Sequence, residues 1–125
     1  MPDTTNSPKG VHPLTAQSHH LDLEREADKL LARLPGNSRQ TENLAREAGV
    51  SMLMMAMEAG DLVAEHSAKG VVTVHLLRGH AMLSAAGEAL DLRPGQMVML
   101  QPGVPHDVRA EEQSVLLLIV TGGDR

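Results

Sequence analysis

The chain has 125 residues, 42% hydrophobic and 22% charged, with a formal net charge of −5, which suits one globular domain and not two. It contains no Phe, Tyr, Trp or Cys, and this excludes aromatic stacking platforms, disulfides, thiol catalysis and cysteine-ligated metals. The acidic balance argues against a nucleic-acid partner, and no apolar run approaches the roughly 20 residues of a membrane span.

Residues 1–20 read as a flexible arm, polar and carrying Pro2, Pro8 and Pro13, with little to bury and no apolar core of a signal peptide. A cytoplasmic setting is therefore expected. His12, His19 and His20 fall in this arm, where they can pick up stray metal. From 21 to 34 the pattern becomes helical. Leu23, Ala27, Leu30, Leu31 and Leu34 share one face, Asp22 suits the N-cap, and Pro35-Gly36 ends the run. Such a helix either covers its own domain or docks a partner. The domain is read as 21–125, helix included.

Beyond Gly36 the chain breaks into short strands, expected near 39–47, 50–58, 71–78, 80–85, 88–92, 96–101, 104–110 and 114–121. Ala48-Gly49, Ala86-Gly87, Arg93-Pro94-Gly95 and Glu111-Glu112 supply turns. Strands 50–57 and 115–120 are apolar at every other position and its neighbour alike, so both faces need cover. A second copy of the chain would provide it, and a homodimer is expected on that ground. Seven strand methionines, among them Met97 and Met99, stand in for the missing aromatics as core filler. The fold class is all-β: an antiparallel jelly-roll barrel of six to eight strands with one N-terminal helix.

No nucleophile elbow or glycine-rich phosphate loop is present, so histidine is the remaining source of chemistry. Four lie in the β region: His66, His75, His80 and His106. His75 has opposite parity to Val72 and should leave the other face, while His80 follows Gly79 and should meet solvent. The spacing of Gly60, His66 and Gly79, then of Gly95, Gly103 and His106 in Pro-Gly-Val-Pro-His, resembles the two motifs of a small single-domain cupin across residues 38–121. The resemblance implies a double-stranded β-helix, a homodimer and a metal site with four ligands. Two of those ligands correspond to His66 and His106, while the others are replaced by Ala68 and Val72, and the motif's closing Asn by Ala110.

Strand alternation then predicts a ligand pocket of His66, His106, Ala68, Val72, Val74, Leu76, Val104 and Val108, apolar apart from the two imidazoles. Glu65 should point away from it. Two functions follow. One is a non-enzymatic barrel that binds or senses a small molecule. The other is a metal-dependent enzyme of dioxygenase, isomerase or decarboxylase type, with a divalent metal on the reduced pair His66 and His106. An interaction module docking through helix 21–34 is a third, blander reading.

Overall fold

The computed structural model describes residues 17–122. His12 and most of the N-terminal arm lie outside the described residues. Among those described there are one helix and nine strands: α1 Leu23–Arg33, β1 Gln40–Glu47, β2 Val50–Met57, β3 Leu62–His66, β4 Val71–Arg78, β5 Ala81–Ala85, β6 Glu88–Leu92, β7 Met97–Leu100, β8 His106–Ala110 and β9 Ser114–Thr121. They form a five-stranded sheet ordered β1-β2-β9-β4-β7 and a four-stranded sheet ordered β3-β8-β5-β6. Every pairing is antiparallel. The two inner faces close on one core that includes Val74, Leu76, Leu83, Leu92, Ala110 and Leu116, which is the jelly-roll architecture expected.

The ninth strand is β3, which the strand periodicity does not predict. It is a five-residue edge strand with no buried residue, so it lacks the apolar alternation that betrays a strand. Strand β8 begins at His106 rather than 104 because Pro102 and Pro105 bracket a turn around Gly103, whose φ is +83°, and neither proline can donate to a ladder.

Helix α1 is set by its own sequence and then spent on the sheet. The Asp22 carboxylate accepts from the Arg25 N–H at 3.1 Å, satisfying one of the orphan donors of the first turn. The Asn37 amide donates to the Arg33 carbonyl at 2.8 Å beyond the last turn. Ala27, Leu30 and Leu34 are buried against Leu44, Met54, Ala56, Val115 and Leu117, the outer faces of β1, β2 and β9. Arg78 of β4 reaches Glu24 at 2.6 Å and Asp28 at 2.9 Å. These two carboxylates raise the Arg78 pKa further above its ordinary value, though exposed pairs of this kind contribute about 1 kcal/mol or less.

This packing changes two expectations. The outer cover for β2 and β9, assigned from sequence to a second copy, is supplied by α1 within the same chain. The apolar stripe of α1 is consequently not free to dock a partner. Beyond the helix the outer face is bare: Met97 and Met99 on edge strand β7 are 55% and 64% exposed, so these two methionines are not core filler. Their side chains pair across the strand with His75 and Thr73, on the face away from the core. Among the described residues no helix is long and apolar enough to cross a membrane.

Candidate functional site

The inner faces do not meet everywhere. Between them lies a cavity of about 320 Å³. From the five-stranded sheet β2 contributes Ser51, Leu53, Met55 and Met57, β9 contributes Leu116, Leu118 and Val120, and Asn43 and Val72 join from β1 and β4. Val63, His66, His106 and Val108 face them from the four-stranded sheet, and Ala68 closes the loop side. In register, Leu53 stands opposite Leu118 and Met55 opposite Leu116. With no aromatic side chain in the whole sequence, leucine, valine and alanine from the two sheets are too short to fill the gap. The composition thus leads to the cavity.

Of the residues expected on the pocket wall, His66, His106, Ala68, Val72 and Val108 are brought together there. Val74 and Leu76 share the parity of Val72 but lie deeper, fully buried in the solid core. Val104 packs beside that core from the turn before β8 and is not on the cavity wall. The β2 and β9 side chains that form most of the wall were readable as strand faces in the sequence. Nothing there showed that one face would stay open.

His66 reaches the cavity through an irregularity. Leu62 pairs with Arg109 and Val63 with Val108, then the register shifts so that His66 pairs directly with His106. Plain alternation from Val63 would turn Glu65 inward and His66 outward. The extra residue reverses this, as a β-bulge does. Glu65 instead lies by a separate shallow depression with Ser84 and Glu88. The bulge was not visible in the sequence.

The two rings lie 4.3 Å apart between centroids, tilted by 57°. His106 is 2% exposed, whereas His66 is exposed at the rim. Each Nδ1 lies by the carbonyl two residues back: His66 by Ala64 at 2.9 Å, His106 by Val104 at 3.0 Å. A carbonyl only accepts, so both Nδ1 atoms carry the proton and donate, and in the neutral form of each ring this leaves Nε2 as an acceptor. The mouth loop is pinned alongside by the Gly103 N–H, which donates to Ala68 O at 2.8 Å.

His80 is half-buried at the surface rather than free in solvent. Its Nε2 pairs with Asp91 across the β5–β6 edge, and its backbone N–H donates to Ser114 Oγ at 3.1 Å. The His80 ring holds the Asp91 carboxyl below the usual carboxylate range, with Arg93 adding to the effect. His19, from the segment read as arm, meets Glu47 at 2.7 Å. Neither pair touches the cavity.

A resident divalent metal does not fit these side chains. Such an ion takes three or four protein ligands, and among the described residues no group of three His, Cys, Asp or Glu side chains could hold one. The wall offers two imidazoles and no carboxylate.

No curated protein matches the chain. Among solved structures it is similar to a protein of unknown function from Streptococcus pyogenes, at 20% identity and TM-score 0.71, over 94% of this chain and all of that one. A cupin superfamily protein from Desulfitobacterium hafniense matches at 21% identity and TM-score 0.65, over 68% and 78% of the two chains. Salicylate 1,2-dioxygenase from Pseudoaminobacter salicylatoxidans matches at 15% and TM-score 0.75, over 89% of this chain and 35% of the enzyme. These identities speak for the fold alone. The cupin domain model matches residues 53–122, the stretch that carries both imidazoles, the bulge and most of the cavity wall, and the chain belongs to the cupin family.

Proposed function

We propose that the protein is a non-enzymatic barrel that binds or senses a small amphipathic molecule. One observation carries this reading. A cavity of about 320 Å³, within the size range of small-molecule sites, is walled mostly by apolar side chains, with two hydrogen-bonding imidazoles, the neutral polar Asn43 and Ser51, and no third His, Cys, Asp or Glu. Native mass spectrometry after exposure to a metabolite pool tests it, beside an Ala68→Phe variant that plugs the mouth. Retention of a small molecule by the wild type, lost in the plugged variant, is expected. No retention across a broad pool would count against the proposal.

A metal-dependent enzyme is the second reading, supported by the orientation of the two imidazoles though not by their number. A ring whose Nδ1–H donates to a backbone carbonyl is oriented as metal-ligating histidines are. Near-stoichiometric metal in the purified protein would move the preference here. The donor count also predicts a gain: Ala68→His adds a third imidazole to the wall, and zinc binding should tighten at least about a hundredfold in calorimetry. The proposal includes a homodimer, with the exposed Met97 and Met99 face of β7 as the surface a second copy would cover. A monomeric mass by light scattering at micromolar concentration would remove it.

A further inference from the structure

The fixed tautomers say which chemistry the cavity accepts. We infer that it selects a neutral amphipathic molecule whose head carries two hydroxyl donors, a vicinal diol on an apolar chain being the simplest, and rejects the carboxylate of the same chain. This rests on the binding reading above and makes it specific.

His66 and His106 are direct cross-strand partners with ring centroids 4.3 Å apart, so one head group can reach both. Each ring has committed its Nδ1–H to a carbonyl of its own strand or turn. What remains is two acceptors side by side with no donor between them. Neighbouring hydroxyls supply one donor to each. A carboxylate brings only acceptors; the neutral donors Asn43 and Ser51 belong to the other sheet, and stripping the charge of water is costly where no Lys or Arg lines the wall. An alkylammonium has donors, but its charge is equally stranded, since no Asp or Glu lines the wall either. The hydroxyl pair is neutral, and its chain lies along Leu53, Met55, Leu118 and Val120. Binding energy and selectivity therefore come from different parts of the ligand: the tail from burial, the head from hydrogen-bond sense.

The full-length protein, labelled with ¹⁵N at histidine, is titrated with octane-1,2-diol, octanoate and octylammonium at about pH 8, where free imidazoles are neutral. The diol is expected to bind at least about tenfold tighter than either ion. It should move the Nε2 resonances of His66 and His106 while both Nδ1 atoms stay protonated. His106→Leu should bring the diol down to the level of the ions, and His66→Leu, at an exposed position, gives the same reading if the buried variant fails to fold. Octanoate or octylammonium binding as tightly as the diol overturns the donor rule and leaves the binding barrel standing. Failure of all three to bind overturns both.

Discussion

The five-stranded sheet is apolar on both faces, but along β2 and β9 the outer face is filled while part of the inner face stays open. On the outside Met54, Ala56, Val115 and Leu117 are covered by Ala27, Leu30 and Leu34 of α1. On the inside Leu53, Met55, Leu118 and Val120, from the same two strands, look onto open space. The side chains are of the same kind, so hydrophobicity does not separate the two faces. What separates them is what the opposite layer supplies. A helix delivers leucines at close range, whereas the four-stranded sheet delivers alanine, valine and the two histidines. On the proposed function the outer face is a stability element and the inner mouth the site.

Substitutions should separate the faces in the same way. The largest effect is expected for Leu30→Ala, which removes a fully buried side chain from the filled face and should cost about 2–5 kcal/mol in urea unfolding. Leu118→Ala removes the same atoms beside existing space, and about 1–2 kcal/mol is expected. Equal costs would mean that the cavity is closed in solution. Asp22→Ala should cost about 1 kcal/mol by uncapping α1, with no effect on ligand uptake. Val120→Leu adds one methylene to the cavity and should raise stability by about 0.5–1 kcal/mol while weakening binding. The smallest effect concerns acid. The folded state holds the Asp91 carboxyl below its ordinary value, so its contribution is present above the unfolded pKa and is lost as pH falls through the folded one. Asp91→Asn should therefore blunt the loss of stability between neutral pH and the acid side of the carboxylate range, read as the shift in urea midpoint.

Much of this architecture was legible in the residues. Helix α1 and eight of the nine strands follow from periodicity and turn chemistry, with bounds within two residues of those observed. Edge strand β3 was not, because Leu62, Ala64, Glu65 and His66 are exposed and only Val63 is half-buried, leaving no apolar rhythm to read. The pair His66 and His106 came from motif spacing, but the bulge that turns His66 inward depends on the β8 register, a non-local property. Alternation likewise put Val72, Val74 and Leu76 on one face correctly without saying that Val72 lines a void and the other two do not. Depth along a barrel is set by the facing layer, which lies far away in sequence. The exposure of Met97 and Met99 has the same origin: their strand is an edge, and α1 stops short of it.

The proposed function requires that His66 and His106 present acceptors to an organic ligand rather than hold a resident metal. Elemental analysis of the untagged full-length protein, beside its His106→Ala variant, tests this most directly. Metal well below one equivalent per chain, unchanged by the substitution, is expected. Near one equivalent in the wild type, lost in His106→Ala, would contradict it and assign the cavity to metal chemistry.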